Sequence, residues 1–298
     1  MTPPVSTPAQ HLFSVDVEDY FQVNAFEGSV QRSQWDSYPS RLERNMDVLL
    51  DLLSRKKVLG TFFTLGWIGA KFPGIVRSIV AAGHEIASHG FWHLRVTELT
   101  PEEFREDVRT SRAVLEDVSG QRVHGYRAPS FSIVPGREWA FDILAEEGYG
   151  YDSSIFPIRR PGYGYPGANP VPHLITRPSG NLLELPLATW TLAGLRIPAA
   201  GGGYFRQFPY GLFRRTFRAL SDRGTTGMFY IHPWEIDPEQ PRLPVSSIAR
   251  FRHYTGLHRT LPRLERLLSE FRFTSVAQRF GVSTTLRAEP SWASVLPA

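Results

Sequence analysis

Cysteine is absent from the 298 residues. Without it the chain can form neither a disulfide framework nor a thiolate metal site. Any metal ion held by the protein would therefore need histidine and carboxylate ligands. Those residue types are available, because the chain contains nine His and 29 Asp and Glu residues.

Long apolar runs and long runs of one charge are absent too. No stretch approaches the ~20 apolar residues of a membrane helix, so we expect no membrane span. Lys and Arg number 33 against 29 Asp and Glu, and five like charges never follow one another, so we expect no nucleic-acid partner. The opening stretch MTPPVSTPAQ lacks the basic and apolar regions of a signal peptide, and we therefore expect a cytoplasmic protein.

The composition is that of a folded protein with a large core. Apolar residues make up 42% of the chain and charged residues 21%. The length suits one large α/β domain or two small domains. We expect a disordered lead over residues 1–10, one domain over 11–280 and a loose tail over 281–298.

Strand and helix patterns alternate along the first half of the chain. Apolar, β-rich runs at 11–17, 60–67 and 85–89 predict buried strands, while 40–58 and 100–120 show helical spacing. This alternation predicts parallel strands joined by helical crossovers. Barrel-like α/β enzymes build their sites at the carboxyl ends of such strands. Polar side chains cluster at those ends, namely Asp16, Glu18, Asp19, His89, His93, Arg127 and Asp152.

Two segments rich in glycine or proline interrupt the pattern. Residues 157–180, PIRRPGYGYPGANPVPHLITRPSG, predict a long irregular insertion that serves as a lid or groove wall. Residues 199–209, AAGGGYFRQFP, predict a glycine-rich loop. This loop lacks the residue pattern of a phosphate-binding loop, so a nucleotide is not expected.

A histidine pair and an acid cluster are the first candidates for chemistry. In ASHGFWHLRV, His89 and His93 are four residues apart, and on a turn of helix they would share a face and could hold one ion. Such a pair beside aromatic residues is more often structural when it stands alone. SVDVEDY places three acids directly after an apolar strand. These acids would supply the missing carboxylate ligand and a spare base.

Two further motifs contain residues that suit a hydrolytic site. Arg127 in GYRAPSF is permanently charged and can hold a carboxylate by a bidentate contact. His232 in YIHPWE follows a buried strand and precedes a proline, so its ring should project from a strand end, as a general acid requires. Taken singly, a surface arginine and a buried core histidine are the more common interpretations.

Together the four motifs resemble a known family. SVDVEDY, SHGFWH, GYRAPSF and FYIHPWE, in this order, are similar to the motifs of polysaccharide deacetylases with a NodB-homology domain, carbohydrate esterase family 4. The likeness spans roughly residues 11–280 and is closest to a branch without signal peptides that includes peptidoglycan and exopolysaccharide-associated deacetylases. It implies an α/β fold, a distorted (β/α) barrel of about seven strands. It also implies a divalent metal, usually zinc, and removal of N-acetyl groups from an amino-sugar glycan or glycan precursor.

The resemblance also implies roles for individual residues. It makes Asp16 the base, His89 and His93 metal ligands, Arg127 the partner of Asp16, and His232 the acid. The third metal ligand stays open between two carboxylates, because the register favours Glu18 and the usual family choice favours Asp19. Leu94 follows the second histidine where many members have proline, a departure with no evident consequence.

The residues around the acid are less well defined by the sequence. Asp152 and Glu184 are both candidates for orienting His232, and Tyr126 and Trp234 are candidates for binding or orienting the substrate. Two other functions stay open, namely a carbon–nitrogen hydrolase that opens a cyclic ureide or imide on the same scaffold, and a sugar-binding barrel without catalysis. We expect an acetylated glycan as the partner, and association into a homo-oligomer stays open.

Overall fold

Strands and helices alternate through the computed structural model, which describes residues 9–160 and 162–285. The strands in this part are β1 (His11–Val17), β2 (Thr61–Thr64), β3 (Glu85–Ser88), β4 (Gly125–Tyr126), β5 (Tyr151–Asp152), β6 (His173–Arg177), β7 (Gly180–Glu184), β8 (Thr189–Leu192), β9 (Leu195–Pro198), β10 (Met228–Ile231) and β11 (Phe273–Thr274). The helices are α1 (Leu42–Lys56), α2 (Gly66–Lys71), α3 (Pro73–Ala81), α4 (Pro101–Ser119), α5 (Trp139–Glu146), α6 (Gly202–Gln207), α7 (Tyr210–Asp222), α8 (Ser247–Tyr254), α9 (Thr260–Glu270) and α10 (Val276–Phe280).

Seven parallel strands form a barrel, in the order β10, β1, β2, β3, β4, β5 and β7. Just beyond β7 the chain pairs again in parallel with β10, where Leu187 bridges Met228, and this pairing closes the ring. The ring is distorted because β4 and β5 are only two residues long each and the closure is an isolated bridge. The predicted distorted barrel of about seven strands is confirmed.

The strand that positions the acid cluster is the most deeply buried element. All seven residues of β1 are buried, because it pairs with β2 on one side and with β10 on the other. Strands covered on both faces carry near-continuous apolar runs. The stretch HLFSV, which precedes Asp16 in β1, has this mostly apolar composition. The carboxylates that follow are therefore held at a fixed place on the barrel rim.

The longer helices begin and end as their sequences predict. In α1, Leu42, Met46, Leu49 and Leu53 are buried on one face. In α4, the Thr100 side chain accepts a hydrogen bond from the backbone of Glu103 while the Glu103 side chain accepts one from the backbone of Thr100. This capping box fixes the start of the helix that packs behind the histidine motif.

The predicted glycine-rich loop at 199–209 is wrong in part, because its centre is helix α6. Gly201 has a φ of 138°, and a Cβ atom there would lie 1.8 Å from the carbonyl oxygen of Tyr230. Gly202 has a φ of 58°, and its Cβ would lie 2.3 Å from the Tyr230 hydroxyl. The glycines therefore let the helix approach β10 closely, which is a tertiary requirement that local sequence does not reveal.

The predicted irregular insertion at 157–180 is also wrong in part. Its second half contains β6, which pairs antiparallel with β7 from His173 opposite Glu184 to Arg177 opposite Gly180. The prolines of this segment predict irregular structure, so the sequence does not reveal this short edge strand. Its residues alternate between half-buried and exposed. Its described residues before β6, 157–160 and 162–172, contain no strand or helix, and position 161 lies outside the described residues.

The expected lead and tail fall mostly outside the described residues. This holds for positions 1–8 of the lead and 286–298 of the tail. Residues 281–285 are packed rather than loose, since the backbone N–H of Arg122 donates to Thr284 and the His124 ring lies 2.9 Å from the Ser283 carbonyl oxygen. None of the helices in the described part is both long enough and apolar enough to cross a membrane.

Candidate active site

The residues of the four sequence motifs meet at one end of the barrel. Asp16 lies near the end of β1, and Glu18 follows that strand directly. His89 follows β3, Arg127 follows β4 and His232 follows β10. All five are buried or nearly so, with the His232 side chain retaining 17% exposure, the largest value among them. The carboxyl ends of neighbouring parallel strands thus form a single cluster, as the sequence predicted.

Three side chains from two of the motifs form a group that could bind a metal ion. Glu18, His89 and His93 each offer a donor atom, and the three donor atoms lie within 4.8 Å of one another. Oε2 of Glu18 lies 2.8 Å from Nε2 of His93, yet this buried oxygen accepts no hydrogen bond of acceptable geometry. A buried carboxylate oxygen without a hydrogen bond is costly unless a cation balances it. The donor set of two imidazoles and one carboxylate is typical of zinc sites with an open position.

The two histidines reach this group from a loop, so the predicted helical turn is wrong. After β3 the chain turns through Gly90, whose φ is 76°, and through His93, whose φ is 55°. The buried Asp107 of α4 accepts hydrogen bonds from the backbone N–H groups of Phe91 and Trp92, at 2.9 and 3.3 Å. The loop therefore brings residues four apart together by backbone strain and an anchoring carboxylate instead of by helical periodicity.

The choice between the two candidate carboxylates falls on Glu18. Asp19 turns away from the histidines and accepts hydrogen bonds from the Ser40 hydroxyl at 2.6 Å and from the Arg41 backbone N–H at 3.0 Å. It also accepts one from the backbone N–H of Tyr20. Asp19 thus ties the acid cluster to the residues before α1 and does not belong to the group that could hold a metal.

Asp16 is held by Arg127 in a buried ion pair. Nη1 of Arg127 donates to Oδ1 of Asp16 at 2.5 Å and to the Ser14 hydroxyl at 2.9 Å. The other guanidinium nitrogens donate to the backbone and side chain of Ser153. The guanidinium also lies 3.9 Å from the centroid of the Phe63 ring. With its donors occupied on several sides, Arg127 fixes the carboxylate of Asp16 in one orientation.

His232 faces the same space from the opposite side. Its Nε2 lies 3.9 Å from Oδ2 of Asp16 and 3.4 Å from Oε1 of Glu18. Its Nδ1 lies 2.7 Å from Oε1 of Glu235, whose other oxygen accepts a hydrogen bond from the buried Arg206 at 2.7 Å. Glu235, and neither Asp152 nor Glu184, therefore orients His232.

Trp234 packs against His232 and contacts Glu18 of the candidate metal-binding group. Its ring stacks on the His232 ring with centroids 5.1 Å apart, and its indole N–H donates to Oε1 of Glu18 at 3.2 Å. On its other face the His253 ring stacks at 4.1 Å. Trp234 therefore orients two functional side chains at once.

The electrostatics of the cluster suit metal binding and proton donation. Burial tends to raise the pKa of Glu18, but the neighbouring His93 and His232 outweigh burial and lower it to about 2. Burial lowers the pKa of His89 to about 4, so its imidazole is neutral at pH 7, as a metal ligand must be. For His232, burial acts against the charged form, but Glu18 and the hydrogen bond to Glu235 outweigh it and raise the pKa to about 9.

Asp152 and Glu184 form a separate buried pair on neighbouring strands. They lie opposite each other in the pairing of β5 with β7, and both are fully buried. Burial raises the pKa of both carboxyl groups, and for Glu184 the charge of Asp152 raises it further. The Ser154 hydroxyl donates to Asp152 and in turn accepts a hydrogen bond from the Ala128 backbone N–H. The pair supports the loop after Arg127 and does not reach His232.

Tyr126 also lies away from the reacting groups. It is buried on β4 and packs edge-on against Phe104 of α4, with ring centroids 5.6 Å apart. Its expected role in binding or orienting substrate has no support in these contacts, which are those of a core residue.

Sequence reasoning missed Glu235 and Arg206. Glu235 could have been found, because an acid three residues after a histidine, with proline between them, favours a short turn that brings the two side chains together. Arg206 gives no such signal, since it lies in the segment read as a loop and reaches Glu235 only through the packing of α6.

Two known protein families together match most of the chain. Residues 32–135 match the family described as polysaccharide deacetylase, and residues 153–281 match one described as a domain of unknown function, DUF3473. Over residues 32–135 the chain is therefore similar to the polysaccharide deacetylases. The deacetylase match contains His89, His93 and Arg127, whereas Asp16 and Glu18 precede it. His232 lies in the second match, so the site draws on both regions and on the strand before them.

Individual relatives point in the same direction. The chain is 30% identical over 97 residues to a chitooligosaccharide deacetylase of Bradyrhizobium sp., a match that covers 33% of this chain and 42% of that protein. It is 26% identical over 146 residues to a peptidoglycan-N-acetylglucosamine deacetylase of Bacillus cereus, covering 45% of this chain and 52% of that protein. The chain thus spans about half the length of the curated relatives it matches.

A solved structure supports the fold over nearly the whole chain. A crystal structure of a Mycobacterium smegmatis protein described as a polysaccharide deacetylase matches with a TM-score of 0.61 and 21% identity. The match covers 97% of this chain and 98% of that one. At 21% identity this similarity supports the barrel fold and nothing about function.

Proposed function

We propose that the protein is a metal-dependent hydrolase that removes N-acetyl groups from an amino-sugar-containing glycan. The observation that carries this proposal is the placement of the Glu18, His89 and His93 group beside two ionisable side chains, Asp16 and His232, at one end of the barrel. The deacetylase names of the relatives support the same reaction and do not favour a cyclic-ureide hydrolase or an inactive sugar-binding barrel.

Zinc is the ion that we propose for the site. Two imidazoles and one carboxylate fit its preference for nitrogen and oxygen ligands, and Glu18 provides a buried oxygen without a hydrogen bond. When bound there, a divalent cation would supply Lewis-acid polarisation of the acetyl carbonyl and of a water molecule. The Nδ1 atom of His89 lies 2.8 Å from the Arg127 carbonyl oxygen, which orients the ring and leaves Nε2 for the ion.

Asp16 is the base in this proposal. Its Oδ1 is occupied by Arg127, so Oδ2 is the oxygen left to accept a proton from the attacking water. That oxygen lies 3.9 Å from Nε2 of His232, so a reacting acetyl group bound beside the two atoms would contact both. Arg127 holds the carboxylate in position through donors fixed by Ser14 and Ser153.

His232 is the acid. An amine leaves poorly as an anion, so hydrolysis of an amide needs a proton donor at the leaving nitrogen. The raised pKa of His232, about 9, keeps its ring protonated at neutral pH, and the contact of Nδ1 with Glu235 directs Nε2 toward the reacting groups. A protonated His232 aimed at the reacting groups is what amide hydrolysis needs, whereas hydrolysis of an activated ester needs no acid. The site therefore suits an N-acetyl substrate.

Acetate release from an N-acetylated chito-oligosaccharide tests the proposal. We expect Asp16→Asn to lose more than ~100-fold in kcat, while the exposed Asp51→Asn on α1 serves as a matched control and retains activity. His232→Ala should impair release from the amide far more than from an activated acetyl ester. Equal losses on the two substrates would contradict the role of His232 as proton donor.

A further inference from the structure

Two exposed arginines near the barrel mouth have no acidic partner. Arg160 lies in the insertion before β6 and Arg252 lies on α8, and both side chains are exposed. Within residues 9–160 and 162–285, no carboxylate forms an ion pair with either guanidinium. Unpaired charges at the edge of a site are candidates for contact with a charged ligand.

Arg160 is connected to the acid side of the site through three aromatic residues. Its guanidinium lies 5.4 Å from the ring centroid of Tyr204 on α6, and the Tyr204 hydroxyl is hydrogen bonded to that of Tyr163. Helix α6 packs directly on Tyr230, since a Cβ at its first residue would meet the Tyr230 hydroxyl. The Tyr230 ring in turn lies 5.5 Å from the His232 ring. The insertion and α6 therefore form a wall beside the acid.

Arg252 approaches the same wall from α8. Its carbonyl oxygen accepts hydrogen bonds from Arg206 and from Gln207, both at 3.2 Å and both on α6. Burial raises the pKa of the Tyr163 hydroxyl, while the charges of Arg160 and Arg252 both oppose that rise. Both charges therefore act on this hydroxyl, and both residues contact α6, Arg160 through the Tyr204 ring and Arg252 through its carbonyl oxygen.

Two buried acids of this region already have arginine partners. Glu235 accepts a hydrogen bond from Arg206 and lies against His232, and Asp16 is paired with Arg127. Within residues 9–160 and 162–285, these acids therefore do not pair with Arg160 or Arg252, and both guanidinium groups stay available to an anionic ligand.

We propose that Arg160 and Arg252 form a subsite for an oxyanion of the glycan, a carboxylate or a phosphate carried close to the acetylated sugar. The inference rests on the proposed function and narrows its substrate to an anionic glycan. Guanidinium groups bind both oxyanions through paired N–H donors, and exposed ones do so without a large desolvation cost. The subsite also raises the local concentration of an anionic substrate at low ionic strength.

The test compares three acetylated substrates in binding and in acetate release. They are neutral tri-N-acetylchitotriose, an N-acetylglucosamine–glucuronate oligosaccharide of similar length, and UDP-N-acetylglucosamine. Calorimetry gives the affinity, and the acetate assay gives kcat/KM, both at low and high salt. The variants are Arg160→Gln, Arg252→Gln and the double variant. Arg218→Gln on the outer face of α7, also exposed, is a control with the same change in net charge.

We expect the zinc-loaded wild type to bind at least one anionic substrate roughly three- to tenfold more tightly than the neutral one at low salt. The double variant should lose this preference through KM, and Arg218→Gln should keep it. The glucuronate and diphosphate arms show which oxyanion is preferred. A preference that survives in the double variant, or a wild type without any preference, overturns the subsite.

The same measurements distinguish failure of the deacetylase proposal from failure of the arginine subsite. Arginine-dependent binding without acetate release from any substrate supports the subsite and contradicts the deacetylase reaction. Acetate release that is indifferent to substrate charge contradicts the subsite alone. If none of the three substrates is bound or hydrolysed, both proposals are overturned.

Discussion

Two adjacent carboxylates at the end of β1 have different surroundings. Glu18 faces the histidines, whereas Asp19 is bonded to Ser40 and to the Arg41 backbone. We expect Glu18→Gln to weaken zinc affinity by about 100-fold or more. Mutation of residues that only hydrogen bond to a metal ligand already weakens metal affinity about 10–100-fold, and Glu18 is itself a proposed ligand. Asp19→Asn should keep zinc affinity and lower the free energy of unfolding by about 1–3 kcal/mol, because a buried acceptor is lost.

Calorimetric zinc titration and thermal unfolding of both variants check this assignment. The two variants serve as controls for each other, because each removes one negative charge from the same turn. Weak zinc binding by Asp19→Asn with tight binding by Glu18→Gln would reverse the assignment.

Glu235 is expected to set the alkaline limit of activity through His232. The acid form of His232 is the protonated one, so activity is lost as pH rises through its pKa, which the charge of Glu235 helps to raise. Glu235→Gln removes that charge, lowers the pKa of His232 and should shift the alkaline limb of the kcat/KM profile to lower pH. A kcat/KM profile measured from pH 5 to 10 checks this. An alkaline limb that stays in place would show that groups other than Glu235 raise the pKa of His232.

The Asp152–Glu184 pair should make stability depend on pH. Burial and the charge of Asp152 raise the pKa of Glu184 above its unfolded value, so the folded state binds the extra proton. The free energy of unfolding should therefore fall as pH rises from the unfolded pKa toward the folded one. Glu184→Gln, which cannot ionise, should lose part of this decline in urea unfolding series. An identical decline in wild type and variant would contradict a shared buried proton.

At the scale of elements, the loop after β3 positions the two histidines of the candidate metal site. Gly90 has a φ of 76°, and a Cβ there would lie 2.7 Å from Oδ2 of Asp107, the residue that anchors the loop. We expect Gly90→Ala to lower the free energy of unfolding by about 1–3 kcal/mol and to weaken zinc binding, because the loop must shift. Gly74→Ala in α3 is the matched control, since a Cβ there meets nothing within 4 Å.

Thermal unfolding and zinc titration of the two glycine variants check the loop. Gly74→Ala should change stability by no more than about 1 kcal/mol, and in the stabilising direction, because alanine favours a helix. If Gly90→Ala binds zinc as the wild type does, the loop does not constrain the histidines.

The elements show which features the sequence could predict. β1 and its acids were predictable, because a buried parallel strand has a continuous apolar run and polar residues follow it at the rim. The ends of α4 were predictable from Thr100 and Gly120, since capping is local chemistry. The helical turn for His89 and His93 was wrong, because spacing of four residues fits both a helix and a strained loop. Helix α6 was missed because its glycines serve the contact with Tyr230.

The whole molecule assembles the site from distant parts of the chain. Asp16 lies before the matched deacetylase region, and His232 lies in the region of unknown function. The barrel brings them together because β1 pairs directly with β10. The second region therefore supplies the proposed acid, His232, together with Glu235 and Arg206, which hold it in place. A cytoplasmic location and association into a homo-oligomer stay predictions.

Zinc content measured together with acetate release tests the central claim most directly. The purified protein is stripped with a chelator, zinc is added back in steps, and acetate from an N-acetylated chito-oligosaccharide is measured at each step. We expect activity to vanish on stripping and to return in full at about one zinc per chain, and we expect His89→Ala to recover neither zinc nor activity. A stripped protein that still releases acetate at the wild-type rate would contradict the claim.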